Sequence, residues 1–268
     1  MIQYPNIDPV IFNIGPFAVR WYGLAYVLGI FLGIKYAQYI SKRFKLSISS
    51  EDLDDYLIWL SLGILFGGRI GYVIFYDSNH LLQDPMYLFR FNEGLISFRG
   101  MSFHGGLIGV ILVTYLFCWR HKKSFLELSD MAACVTPIGL FLGRIANFIN
   151  AELWGRPTDV PWAIIFPGHV VARHPSQIYE ALTEGVLLFV LINTLLYTTN
   201  FIYRPGRMSA IFLLLYASFR SFCEMYREPD AHIGFLIFDL TMGQILSSLM
   251  VVVAILVLYV NRNSIRNS

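Results

Sequence analysis

Apolar residues in this chain run in long unbroken stretches, and polar residues are concentrated between them. Seven such stretches stand out, at approximately 18–39, 56–76, 102–119, 127–149, 176–197, 208–226 and 239–260. Each is roughly 18 to 22 residues long, the length that about 30 Å of hydrocarbon demands of a helix. The pattern predicts an all-α, polytopic integral membrane protein with about seven transmembrane helices. No internal repeat, low-complexity tract or linker interrupts it, so residues 1–268 read as one helical domain. The segments 77–101 and 150–175 are the long connections on one side, and are expected to form a small cap there.

Basic residues orient the bundle. Lys42, Arg43 and Lys45 follow the first span, Arg120, Lys122 and Lys123 the third, Arg204 and Arg207 the fifth, and Arg262 and Arg266 the last. The opposite connections hold only Arg90, Arg99, Arg156, Arg173 and Arg227. Because lysine and arginine concentrate in cytoplasmic loops, the N-terminus is expected outside and the C-terminus in the cytoplasm.

Composition sharpens the membrane assignment: 56% of the residues are hydrophobic and 14% charged, with a mean hydropathy of +0.57. Soluble domains carry about 25% charged residues. Cys118, Cys134 and Cys223 fall in apolar segments without CxxC spacing, so they read as small core residues, neither a disulfide framework nor a zinc site. The first span lacks a basic lead and a small-residue cleavage site, and is expected to be retained.

Against this background the polar residues inside spans stand out. Arg69, Arg144, Arg220 and Glu224 come late in segments that run outward; Tyr22, His104, Glu180 and Glu184 come early in segments that run inward. All are therefore expected in the outer half of the membrane. A charge at mid-membrane costs about 2.5–3.5 kcal/mol on insertion scales, so these arginines need partners or water. Their convergence on one depth predicts a polar cavity that opens outward.

Spacing suggests pairs. Arg220 and Glu224, in FRSFCEMYRE, are four apart and share a helix face. They form either an ion pair that makes an arginine tolerable in lipid, or a carboxylate-held guanidinium with donors left for an anion; the two readings are compatible. In GRIANFINAELWGR, residues 143–156, Arg144 and Asn147 face one way, with Asn150, Glu152 and Trp154 following near the interface. This is more polarity than a helix cap requires. His104, in MSFHGGLIG, is either a structural helix-end histidine or a proton acceptor near neutral pH. His174 either lines the mouth of the cavity or serves a turn. The glycines of FGGRIGY, with Gly67 and Gly71 in GxxxG spacing, predict a close-packing face around Arg69. Nucleotide-loop, metal-cluster and nucleophile-elbow motifs are absent, as is a basic stripe for nucleic acid, so no metal, cofactor or nucleic-acid partner is expected.

Taken with DPVIFNIGP (8–16), RWYGLAY (20–26), GGRIGYVIFY (67–76), RHPSQIYE (173–180) and FRSFCEMYREPD (219–230), these blocks resemble the prolipoprotein diacylglyceryl transferases, in the order of that family and over nearly the full chain. One departure is Ala151, where the family usually has glycine.

The resemblance implies a multi-pass enzyme of the bacterial cytoplasmic (inner) membrane with its site toward the outer, periplasmic leaflet. Its substrates would be phosphatidylglycerol and a prolipoprotein whose signal peptide carries a lipobox cysteine. The diacylglyceryl group would move to the cysteine thiol with release of glycerol phosphate, the first step of lipoprotein maturation. The implied catalytic residues are His104, Arg144 and Arg220. Arg144, Asn147, Tyr22, Tyr216 and Arg220 would bind the lipid, and Glu152, Gly155, Glu224 and Arg69 would support them. Glu152 and Glu224 are expected to orient the arginines, and Asn147 to meet the headgroup or hold Arg144. His104 is the candidate base for the thiol, although the phosphate or an arginine-shifted thiol can replace it. Arg90, Arg99 and Arg156 would add an anionic-lipid funnel. A transporter passing an anion is the competing class, but it needs polar residues through both leaflets, and the inner halves of the spans are nearly devoid of charge.

Overall fold

The computed structural model describes residues 2–15, 17–78, 101–229 and 240–266, with the side chains of Tyr76 and 261–266 left out. Arg90, Arg99, His80, His232 and most of the expected 77–101 cap lie outside the described residues. The protein is helical, as the apolar stretches predict. Helices α1 (Trp21–Phe44), α2 (Ser50–Tyr76), α3 (Phe103–His121) and α4 (Phe125–Ile149) come first. They are followed by α5 (Ser176–Glu180), a π-helical stretch (Ala181–Leu187) and α6 (Leu188–Thr198), which run on as one rod, and then by α7 (Arg207–Glu224) and α8 (Met242–Arg266). Among the described residues, six helices are long and apolar enough to cross a membrane; α7 is not in that set. Arg207, Arg220 and Glu224 within its 18 residues are the reason.

Short strands appear where only helix and loop are expected. β1 (Ile2–Gln3) pairs in parallel with β4 (Ile164–Ile165), and β2 (Val10–Ile14) pairs antiparallel with β3 (Phe17–Arg20). The first span therefore starts at Trp21, not at 18, and runs to Phe44. The residues FAVR read equally as the first turn of a helix. Pairing with VIFNI, beside a Gly15 at φ +57°, turns them into a strand.

Backbone contacts group the chain into two units. The unit of residues 41–128 is built on α2 against α3, which meet along glycines. A Cβ placed on Gly67 would lie 2.5 Å from the Gly105 carbonyl oxygen and 2.7 Å from the Gly109 Cα. One on Gly71 would lie 2.5 Å from the Gly105 Cα. The GxxxG face thus packs backbone against backbone, as its spacing predicts. Ser49 caps α2 through a reciprocal exchange with Asp52, and Lys123 meets Asp52 at 2.6 Å.

The unit of residues 1–40 and 129–268 holds the remaining helices and all four strands. Asp130, fully buried, accepts hydrogen bonds from the amides of Gly206 and Ser209, each at 2.7 Å, and from the Ser209 hydroxyl at 2.6 Å. It thereby supplies the start of α7 with the acceptor that Gly206 lacks. At the other end of α4, Tyr4 donates to the carbonyls of Phe148 and Ile149 at 2.9 and 2.7 Å, which ties β1 to the end of that helix.

Candidate active site

Three helices of the larger unit bring their charged residues together. α4 supplies Arg144, the α5 rod supplies Glu180 and Glu184, and α7 supplies Arg220 and Glu224. Arg144 Nη1 lies 3.2 Å from Glu180, and its Nη2 donates to Glu184 at 3.1 Å. Arg220 Nη1 donates to Glu180 at 2.5 Å and lies 3.6 Å from Glu184, while its Nη2 donates to Glu224. Glu180 and Glu184 have no exposed surface, yet the side chains of Arg144 and Arg220 keep 16% and 11% of theirs. The carboxylates are fully enclosed, and the arginine side chains are not. That placement answers the membrane cost of each charge and leaves the arginines in reach of a ligand.

Arg227 joins the cluster at 3.8 Å from Glu180 and 4.0 Å from Glu224. The Thr241 hydroxyl donates to Glu224 at 2.9 Å. Gly243, in the first turn of α8, has no room for a side chain, since a Cβ there would lie 2.7 Å from the Glu224 carboxyl carbon. Tyr216, one turn before Arg220, is within electrostatic reach of Arg144, Arg220, Glu180 and Glu184, and stacks on Phe212 at 5.8 Å. The Tyr22 hydroxyl is 3.5 Å from that of Tyr26, and Tyr26 in turn feels Arg144 and Glu152.

The passage after Arg144 differs from expectation in one respect. Glu152 accepts from Asn147 at 2.7 Å and from Asn150 at 3.4 Å; among the described residues no arginine is a hydrogen-bond partner of it, and Asn147 turns toward Glu152. The cause is the helix end. The Glu152 amide donates to the Asn147 carbonyl and the Ala151 amide to the Phe148 carbonyl, the paired bonds of a Schellman turn. Its left-handed residue is Ala151, at φ +52°, and Leu153 at φ +57° follows. Straight helical spacing would put Glu152 two turns beyond Arg144; the turn folds it back onto Asn147.

Gly155 is walled in. Its amide donates to the His174 carbonyl at 2.9 Å, and a Cβ would lie 2.5 Å from the Tyr226 carbonyl oxygen and 2.7 Å from the His174 Cβ. His174 Nδ1 sits 3.0 Å from the Tyr179 hydroxyl, which accepts from the Trp162 indole at 2.7 Å, and burial pushes the imidazole below its usual pKa. Trp154 packs edge-on against His169 at 4.4 Å and beside Phe166.

His104 and Arg69 belong to the smaller unit. His104 is the second residue of α3 and is exposed, its ring edge-on to Phe103 at 5.7 Å. Arg69 is buried, with its guanidinium 6.0 Å from the Tyr72 ring centroid. Among the described residues, no group of three or more metal-ligating side chains occurs.

The sequence signalled Arg144, Arg220 and Glu224 as a set. It also showed Glu180 and Glu184, but not that they bridge the two arginines, because pairing between helices leaves no trace in spacing along one. Arg227, Thr241 and Tyr26 were missed altogether; the four- and three-residue steps from Arg220 to Glu224 to Arg227 were the available signal.

Comparison with known proteins gives this arrangement a family. Residues 9–260 match the family model described as prolipoprotein diacylglyceryl transferase. A phosphatidylglycerol–prolipoprotein diacylglyceryl transferase of Rhodospirillum rubrum is 48% identical over 98% of this chain and 95% of its own. Proteins of the same name from Sinorhizobium medicae and Rickettsia felis are 49% and 48% identical, over 95% and 92% of this chain and 92% and 93% of theirs. A family match across nearly every helix, together with relatives aligned almost end to end, places this chain in the prolipoprotein diacylglyceryl transferase family.

Proposed function

We propose that this chain is a phosphatidylglycerol–prolipoprotein diacylglyceryl transferase, the enzyme that moves the diacylglyceryl group of phosphatidylglycerol onto a prolipoprotein in lipoprotein maturation. The acceptor is the thiol of the lipobox cysteine, and the products are a thioether and glycerol phosphate. The protein works in the bacterial cytoplasmic membrane with its site toward the outer leaflet, and the whole chain acts as one domain. The observation that carries the reading is the pair of arginines on α4 and α7, each held by buried carboxylates and neither side chain wholly enclosed.

The chemistry follows from that arrangement. The thiol sulfur attacks the terminal carbon of the diacylglyceryl group, the bond from that carbon to the phosphate ester oxygen breaks, and negative charge grows on that departing oxygen. Arg144 and Arg220 donate to that phosphate and stabilise the growing charge, which they do best when held in place by Glu180 and Glu224. Tyr22 and Tyr216 hydrogen-bond the lipid. Asn147 and Glu152 form one polar unit after Arg144, and Gly155 lets the chain pass close to His174 and Tyr226. Arg69 is a supporting residue in this reading. His104 is the base for the thiol, since the thiolate is the nucleophile. Both substrates arrive within the membrane, so they enter between helices.

Binding tests the arginine assignment. Purified wild-type protein should bind phosphatidylglycerol in mixed micelles in preference to phosphatidylcholine. Arg144→Ala and Arg220→Ala, if folded, should lose that preference; retention of it by both variants would remove the arginines from the phosphate site.

A further inference from the structure

Among the described residues, the charges of the arginine cluster are already balanced. Arg144, Arg220 and Arg227 face Glu180, Glu184 and Glu224. A phosphodiester that enters adds one negative charge to a cluster that is already neutral, so it competes with a carboxylate for the arginines. The three carboxylates are not equally replaceable. Glu180 is shared by Arg220 at 2.5 Å, Arg144 at 3.2 Å and Arg227 at 3.8 Å. Glu224 keeps Arg220 on one oxygen and the Thr241 hydroxyl on the other. Among the described residues Glu180 and Glu184 each accept one hydrogen bond and each keep one buried oxygen without one, but Glu184 meets two arginines where Glu180 meets three, and its bond comes from Arg144 to Oε2 at 3.1 Å. Its Oε1 is buried without a hydrogen-bond partner, with Arg220 as an ion-pair contact at 3.6 Å. Glu184 also lies in the π-helical stretch Ala181–Leu187, a local widening that recurs at functional sites.

We propose that the lipid phosphate displaces Glu184 from Arg144 and that Glu184 then takes up a proton, so that anion binding and proton uptake are one event. This rests on the phosphatidylglycerol reading above. Protonating an ordinary glutamate at pH 7 lowers an equilibrium by roughly 500-fold. Leaving a carboxylate charged, fully buried and stripped of its hydrogen bond is the worse alternative, because such a group neutralises rather than stay ionised. The groups that face Glu184 are Arg144 from α4, Glu180 from its own rod, and Tyr216, Arg220 and Cys223 from α7. The arginines stay charged and the tyrosine and thiol stay neutral near pH 7, which leaves a carboxylate to carry the proton. The neutral acid can then donate to the phosphate it admitted. When the product leaves, the carboxylate returns to Arg144 and the proton departs. Glu184 in this account is a positioning residue that sets the charge of the site.

The test is calorimetric titration of purified full-length protein with short-chain phosphatidylglycerol, in buffers of different ionisation enthalpy between pH 7 and 8. Wild type should take up about one proton per lipid, with affinity falling about tenfold per pH unit. Glu184→Gln should bind with no uptake and no pH dependence, whereas Glu180→Gln, where folded, should still take up the proton. Lipid binding by wild type without proton uptake overturns the coupling and leaves the transferase reading standing. Uptake that persists in Glu184→Gln overturns the assignment to Glu184. A wild type that shows no preference for phosphatidylglycerol over phosphatidylcholine defeats the lipid reading on which the coupling depends.

Discussion

Replacing Ala151 with glycine should stabilise the protein. Ala151 is the left-handed residue of the turn that ends α4, at φ +52°, with both Schellman hydrogen bonds in place. An L-residue in that region is penalised by about 1–2 kcal/mol, because its Cβ crowds the following carbonyl. Glycine escapes the penalty but gives back roughly 0.5–1 kcal/mol through its greater freedom in the unfolded chain. The difference favours Ala151→Gly by about 0.5–1 kcal/mol. At roughly 2–4 °C per kcal/mol for a chain of this size, that raises the unfolding midpoint by about 1–4 °C. Thermal unfolding in detergent, followed by tryptophan fluorescence, measures it, with Ala151→Val as the opposite control, since a β-branched side chain suits the left-handed region worst. An unchanged or lower midpoint for Ala151→Gly, or a higher one for Ala151→Val, would refute the strained turn. The same turn holds Glu152 against Asn147, so a relaxed glycine should leave that contact intact.

Other consequences are open to direct measurement. Gly67→Val pushes a side chain into the Gly105 and Gly109 backbone and should destabilise by about 1–3 kcal/mol or prevent folding, read from the unfolding midpoint and yield. Asp130→Ala strips the amides of Gly206 and Ser209 of their acceptor and should lose roughly 2–3 kcal/mol in denaturant unfolding, with Asp130→Asn recovering part of it. Burial holds the His174 pKa below its unfolded value, so the residue takes nothing from stability above about pH 6.5. As pH falls through that value the unfolded chain takes the proton first and stability declines, until the folded imidazole is protonated too. His174→Asn should flatten that part of the profile of midpoint against pH.

The helices were legible in the sequence because hydrocarbon length and helical rise set one simple requirement, which the apolar stretches meet. The close packing of α2 on α3 was legible as well, since Gly67 and Gly71 have few other uses in a span. What escaped the sequence depends on pairing between distant segments. FAVR becomes a strand only through VIFNI, and Glu180 and Glu184 become the bridge between Arg144 and Arg220 only when three helices assemble. The contact between Glu152 and Asn147 escaped the sequence for a local reason: helical spacing does not carry past a turn whose left-handed residue is an alanine. A glycine at 151 would have announced the break.

The central claim is the transfer itself. Purified protein in phosphatidylglycerol micelles, given a synthetic lipobox peptide, should yield a peptide heavier by one diacylglyceryl group and release glycerol phosphate in equal amount. The same peptide with serine in place of cysteine should yield neither. An unmodified cysteine peptide, with folded protein and bound lipid, would contradict the account.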